Sequence, residues 1–558
     1  MMGNMPLHDY EKYFPFQKIR GEQKAAIEFA LNAYESGKKY VILEMGTGCG
    51  KSATGITIAR YLEQHGKKIF DNENMPLTGA YVLTTQKLLQ EQYLDDFGPG
   101  VGRNKNLLLS IKSANNYKCG FYPDQSCAES RRIISQLGKQ ANGTDFHKHC
   151  RGGVCPYAND KQSFIDSPIS ITNFSYFFAE TMYGGKLTPR SLLVIDECHN
   201  SESELSKFIE VTFSEKFAKE ILKCKIPALD TQYVIFEWIR TGYISSLKKH
   251  LKKVEKTIKS KFSEDVSVFG DISKQYELLD KHLCKVERFI ETYDPQNWVV
   301  NIIRPSSGSK RGMRKFEFKP VDVSKYSHDT LFKFGGRVLM MSATVIDKEI
   351  FCNTIGLDPN EVAYMSIASP FPPENRPIHY IPAGSMSMKN VDQTLPAMCE
   401  AVRLLLEQHS SEKGIIHCVS FKIAQYVMDN VKSPRLITHN AENRDQVLQS
   451  HIIGNQPTVI LSPSMMEGVD LADDASRFQI ICKVPFPYLG DEVVKKRMDR
   501  NKLWYSYQTA RSIVQALGRS IRNESDHAVS YILDSDWERF YRTNYRLFPK
   551  EFSSALQK

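Results

Sequence analysis

EMGTGCGKS, Glu44–Ser52, decides how the rest of the chain is read. An apolar run, Tyr40–Leu43, precedes it, and a helical pattern from Lys51 to about Leu62 follows. Strand, glycine-rich loop and helix in that order form a phosphate-binding unit. Gly46, Gly48 and Gly50, with Thr47 between them, let the backbone approach phosphate oxygens. Backbone N–H groups and the helix N-terminus then supply partial positive charge. Lys51 is positioned for the β- and γ-phosphates, and Ser52 to put a hydroxyl on Mg²⁺. The strict pattern wants glycine six residues before Lys51, where this chain has Met45, so the loop is a variant.

The strand–helix rhythm recurs outward from this loop. Tyr81–Thr84, Leu192–Ile195 and Val338–Met341 read as buried strands. A second series follows at Gly414–Val419, Thr458–Leu461, Phe478–Val484 and Val529–Leu533. Such alternation predicts an α/β fold with two parallel-sheet lobes. At about 150 residues per domain, 558 residues suggest three or four units. No run approaches the ~18 apolar residues of a membrane span, and Met1–Arg20 has no apolar signal-peptide core. The expectation is a soluble, intracellular protein with no membrane partner. Twelve cysteines are too few for a disulfide scaffold, so they are expected as thiols, catalytic groups or metal ligands. A net charge of +9 over this length is too small to name a partner.

DECH, Asp196–His199, ends the run Leu192–Ile195. A carboxylate there can hold a nucleotide-bound Mg²⁺, which assigns Asp196 to the metal and Glu197 to the attacking water. His199 can couple this site to its neighbours. Two stretches break the α/β rhythm. In one, Leu247, Leu251, Val254 and Ile258, then Leu279, Leu283, Val286 and Ile290, fall at helical spacing and predict two amphipathic helices. In the other, Cys119, Cys127, Cys150 and Cys155 lie within 37 residues. Four thiolates can hold a [4Fe–4S] cluster or a structural zinc, and His147 and His149 beside Cys150 keep a mixed zinc site open. Free thiols are the bland reading.

The order of these motifs resembles superfamily 2 helicases, and within them the XPD-like and DinG-like iron–sulfur group. Arg20-Gly-Glu-Gln23 looks like the adenine-reading segment, with Phe14 and Phe16 as nearby stacking candidates. Thr84–Gln92 resembles the family's motif Ia and Ser342-Ala-Thr344 its motif III. Glu467-Gly468-Val-Asp470, followed by Val484-Pro-Phe-Pro487, is close to motif V, and Gln515-Ala-Leu-Gly-Arg519-Ser-Ile-Arg522 to motif VI. The resemblance implies ATP and Mg²⁺ as cofactors, with Arg20, Gln23, Gly468, Asp470 and Gln515 at the nucleotide. Arg519 and Arg522, at i and i+3, would present guanidinium groups to the transferring phosphoryl from the second lobe. It favours [4Fe–4S] over zinc at the four cysteines. The cluster would act as a staple and wedge, since about sixty polar, glycine-containing residues have little core of their own.

The division implied is lobe one at 1–104, 166–204 and 331–370 (the last with the linker), an iron–sulfur subdomain at 105–165, a helical arch at 205–330, and lobe two at 371–558. The implied activity is an ATP-dependent DNA helicase that moves 5′-to-3′ on single strands and opens forked duplex as a monomer. A translocase that displaces proteins or RNA without unwinding is the alternative, and RNA or R-loops stay open as substrates. The expected compartment is the cytoplasm, or the nucleus in a eukaryote. Lys248–Lys261, with seven Lys and one Glu, is either a solvated helix face or a backbone-contacting surface. Lys105, Lys112, Lys118, Arg131, Arg132, Lys139, Lys148 and Arg151 interleave with Tyr117, Phe121 and Tyr122. With Tyr157, Asn173, Phe174 and Tyr176 they suggest a single-strand path, against a reading as ordinary packing.

Overall fold

The computed structural model describes residues 8–98, 108–131, 142–185, 187–227, 229–261, 266–304, 313–440, 443–463, 471, 473–518 and 526–557, with the side chains of 259–271 outside that description. The strand Tyr40–Met45 is buried along its whole length. Parallel neighbours, Gly335–Ser342 and Val362–Ile367, hold its two edges. The full order is Val362–Ile367, Tyr40–Met45, Gly335–Ser342, Arg190–Asp196, Ala80–Thr84, Ile169–Asn173 and Leu108–Ser110, all parallel. Side chains alternate between two covered faces. Tyr40 and Ile42 join Leu193, Ile195 and Met340 on one. Val41 and Leu43 join Val194, Met341 and Ile56 on the other. Burial on both faces is why these strands read as continuous apolar runs.

A second parallel sheet runs Ile378–Gly384, Val529–Asp534, Phe478–Ile481, Gly414–His417, Val459–Ser462 and Leu436–Thr438. Two parallel-sheet lobes with inserted segments are therefore the architecture. In the first sheet, register sets Glu44 beside Ser342 and Met341 beside Asp196. Loops leaving the C-terminal ends of these strands emerge together, where α/β sheets bind ligands. Lobe two leans on lobe one and on the arch through the helix Glu492–Arg500. Its Arg497 donates to the Val321 carbonyl at 2.6 Å and pairs with Glu202. No helix of the described residues is long and apolar enough to cross a membrane.

The arch carries the two amphipathic helices, Ile244–Lys261 and Val266–Thr292. Leu247, Leu251, Val254 and Val286 bury against Phe213, Trp298, Phe316 and Phe318. Those aromatics come from an antiparallel sheet, Val211–Ser214, Lys315–Pro320 and Trp298–Ile303, that helical spacing did not predict. Lys248, Lys249, Lys252, Lys253 and Lys256 face solvent, and Lys248 pairs with Glu287 at 2.7 Å.

The expected single-strand path is in part core. Tyr157, Phe174 and Tyr176 are buried, and the hydroxyls of Tyr157 and Tyr176 lie 3.2 Å apart. Asn173 caps the helix Phe174–Ala179 by accepting from the Tyr176 N–H at 3.0 Å. Packing claims these four residues, because each has its apolar body or its polar atoms engaged inside lobe one. Phe121 remains exposed. Lys112 pairs with Glu91, Lys148 with Asp145, and Arg131 lies over the Tyr157 ring. Lys105, Arg132 and Lys139 lie outside the described residues.

Candidate active site

The phosphate loop turns between Met45 and the helix Lys51–His65. Gly48 and Gly50 have φ of 81° and 74°, a region that favours glycine. Close approach adds a second reason. A Cβ on Gly48 would lie 2.0 Å from the Phe371 ring, and one on Gly50 2.2 Å from Gln23 Nε2. Met45, the departure from the strict pattern, is fully buried in the core, so the variant position serves packing. Lys51 Nζ reaches back to the Met45 carbonyl at 3.4 Å. Arg20 donates to the Gly48 carbonyl at 2.7 Å, and Gln23 to the Gly50 carbonyl at 3.4 Å. The two residues of the upstream segment thus meet the loop. Of the two stacking candidates, Phe14 is 1 % exposed and belongs to the core, whereas Phe16 is at the surface.

Asp196 closes the strand Arg190–Asp196 and is buried. Its Oδ2 accepts from Tyr93 Oη at 2.8 Å and its Oδ1 from the Glu197 N–H at 3.0 Å. Burial and the adjacent Glu197 push its carboxyl up to about 6, against the pull of Lys51. Tyr93 also bonds to Ser52, so one phenol touches both groups assigned to the metal. Glu197 sits at φ 51°, a strained backbone for a non-glycine residue and a common mark of functional sites. Cys198 is wholly buried, and its thiol is pushed well above its usual range by burial.

His199 joins the two lobes. Its Nδ1 lies 2.8 Å from Ser342 Oγ. Gln515, from the lobe-two helix Lys502–Leu517, donates its amide to His199 Nε2 at 2.6 Å and to Thr344 Oγ1 at 2.9 Å. With Nε2 accepting, Nδ1 carries the proton to Ser342. Arg511 donates to the His199 carbonyl at 2.9 Å, and Tyr507 Oη to the Val345 carbonyl at 3.0 Å. Beneath the same turn, Glu44 accepts from the Ile346 N–H at 2.6 Å and from the Tyr364 hydroxyl. Ile346 holds φ 63°, unusual for a β-branched residue. Sequence reasoning missed Tyr93, Glu44, Tyr364 and Arg511. Only Glu44 left a signal, as a lone carboxylate ending an apolar strand.

His199, Thr344 and Gln515 open on a cavity of about 110 Å³ between the lobes. Gly46, Thr47, Lys51 and Glu197 line it from lobe one, and Gln515 and Gly518 from lobe two. Gly468, Asp470, Arg519 and Arg522 lie outside the described residues.

The four clustered cysteines are neighbours in space. Cys127 and Cys150 each bond to the Cys155 thiol, and both feel Cys119. Burial and the neighbouring thiols push Cys127 up to about 12 and Cys150 to about 11. Cys127 and Cys155 pack into the lobe-one core, and Cys119 into the arch core. Among the described residues, no three or more His, Cys, Asp or Glu side chains are arranged to hold a metal ion directly. The donor chemistry of four adjacent thiols still fits a thiolate-held group.

Residues 16–228 match the family of the type III restriction enzyme res subunit, and residues 403–557 the helicase C-terminal domain. The chain is 20 % identical to the ATP-dependent DNA helicase YoaA of Haemophilus influenzae, over 95 % of this chain and 93 % of that protein. It is 20 % identical to YoaA of Escherichia coli, over 94 % and 92 %. A solved XPD helicase superposes with a TM-score of 0.63 at 15 % identity, covering 95 % of this chain and 99 % of that one. With two matched domain models, relatives along nearly the whole length and a shared two-lobed fold, the chain is similar to the XPD-like and DinG-like helicases of superfamily 2.

Proposed function

We propose that this protein is an ATP-dependent DNA helicase that moves 5′-to-3′ on single-stranded DNA and opens forked duplex as a monomer. The observation that carries the reading is the shared cavity, to which Lys51 and Glu197 come from one lobe and Gln515 from the other. Lys51 and the loop N–H groups fasten the phosphates. Glu197 orients the attacking water and takes up its proton as the bond from the water oxygen to the γ-phosphorus forms and the bond from that phosphorus to the β–γ bridging oxygen breaks, releasing ADP. Arg519 and Arg522 complete the charge around the transferring phosphoryl when lobe two closes. His199, bonded to both Ser342 and Gln515, relates the state of the γ-phosphate to the distance between lobes. Ser52 and Asp196 would hold Mg²⁺, which supplies neutralising charge at the β- and γ-phosphates.

Cys119, Cys127, Cys150 and Cys155 would hold a [4Fe–4S] cluster that cross-links arch and lobe one. Such thiols stay reduced in the cytoplasm. The test uses protein purified without oxygen, with ATPase and strand separation measured on DNA and RNA carrying 5′ or 3′ tails. Stimulation by single-stranded DNA with opening of 5′-tailed duplex is expected. ATPase that ignores nucleic acid overturns the reading. Displacement of streptavidin without strand separation replaces it by a remodelling translocase.

A further inference from the structure

We infer that Arg376 is a nucleotide-binding residue of the inter-lobe cleft, an extra guanidinium for the phosphate chain of the bound nucleotide. The inference rests on the nucleotide reading of that cleft.

Arg376 ends a strap that links the last strand of the first sheet, Val362–Ile367, to the first strand of the second, Ile378–Gly384. The near end of the strap is fastened to the phosphate loop. The Gly46 N–H donates to the Ile367 carbonyl at 3.1 Å, Cys49 Sγ to the Ala368 carbonyl at 3.6 Å, and Ser369 Oγ to the Thr47 carbonyl at 3.4 Å. Phe371 is buried with its ring against Gly48. The far end is fastened to lobe two. The Asn375 carbonyl accepts from the Ala528 N–H, and the Pro377 carbonyl from the Ser530 N–H, both at 2.9 Å. Arg376 is thus anchored on lobe two while its side chain lines the cavity shared with Thr47 and Lys51.

Its donors are spare. Nε and Nη2 are buried and have no hydrogen-bond partner. Glu551, across the same cavity, is the carboxylate that acts on it, and the two form no ion pair. Leaving a guanidinium half-desolvated and unpaired is costly, because it cannot shed its proton to escape. Arg60 and Arg511 also leave a buried Nε without a partner, but each bonds through its other nitrogens. Buried Arg190 donates to the carbonyls of Ala80, Ser167 and Ile165. A planar fork with free N–H groups, beside a loop of backbone amides and Lys51, suits a phosphate oxygen.

The experiment titrates mant-ATP and mant-ADP, with Mg²⁺, into the full chain and into Arg376→Ala and Arg376→Lys. Each protein is also melted without nucleotide. Arg376→Ala is expected to weaken at least one nucleotide about tenfold, which is one lost charged contact. Arg376→Lys is expected to regain part of it. Unliganded melting should be unchanged or higher, because an unpaired buried donor is removed. Should Arg376→Ala melt early, Arg376→Gln, which keeps volume without charge, carries the same expectation. Wild-type affinity in the variants that melt normally overturns the inference. No binding by the unaltered chain overturns the nucleotide reading itself.

Discussion

The inter-lobe cleft and the four-cysteine segment both gather reactive side chains, and they hold them by different means. In the cleft, Asp196, Glu44 and Ser342 end or nearly end buried strands, and their polar atoms are committed to neighbouring side chains or to backbone. The strands fix the spacing whether or not a ligand is present. In the cysteine segment, Cys119 sits in a turn, Cys150 on the seven-residue helix Asp145–Arg151, and Cys155 at the cap of Pro156–Asp166. These thiols are near neighbours, but among the described residues no three of them are arranged around one metal position. The comparison teaches that groups at the C-terminal ends of buried strands are held by the sheet itself, whereas groups on short helices and turns are held only by local packing.

Removing Lys51 is the largest expected blow to the cleft. Lys51→Ala should lower ATP turnover about a hundredfold or more while DNA binding stays near wild type. Wild-type turnover would break the phosphate-loop assignment. On the other side, Cys119→Ser should abolish brown absorbance near 400 nm and weaken strand separation, with a smaller loss of ATP turnover. A colourless variant that unwinds at the wild-type rate would falsify the staple role. Glu44→Gln sharpens the claim that the sheet holds the groups of the cleft. It keeps the shape and weakens the hold on Ile346, so kcat should fall about tenfold with KM little changed. Loss of folding instead would make Glu44 purely structural.

The smallest effect concerns the arch. His282, half-buried with Nε2 2.9 Å from the Tyr243 hydroxyl, is held down to about 4 from 6.5 by desolvation and Lys285. A depressed histidine contributes stability that is full above 6.5 and is lost as pH falls towards about 4. Melting of the arch should drop by a few degrees over that range, and His282→Gln should flatten the drop. An equal drop in that variant would assign the effect to other groups.

What was legible in the residues was local. Glu44–Ser52 declares its strand, loop and helix because all three are contiguous, and DECH does so because an apolar run leads into it. The dense cysteines announce shared chemistry by number alone. Aromatic residues were harder. Phe121 and Tyr157 look alike in a basic, polar stretch, yet one is at the surface and the other in the core. Exposure depends on what packs above a residue, which neighbours in sequence do not report. The antiparallel sheet of the arch escaped for a similar reason. Val211–Ser214 and Lys315–Pro320 are short, and a hundred residues of chain separate the two strands.

By itself, then, the sequence determined two parallel-sheet lobes, a glycine-rich strand–loop–helix unit, a carboxylate pair closing a buried strand and a cysteine cluster. Each depends on periodicity, turn chemistry or spacing within a few dozen residues. The tertiary structure alone decided which groups meet. Glu44 reaches Ile346 across 302 residues, and Gln515 reaches His199 across 316. It also decided that Arg376 keeps its donors free in the cleft while Arg190 spends its own on carbonyls. Both are arginines in the alphabet. The burial and the partners that separate their roles exist only once the chain has folded.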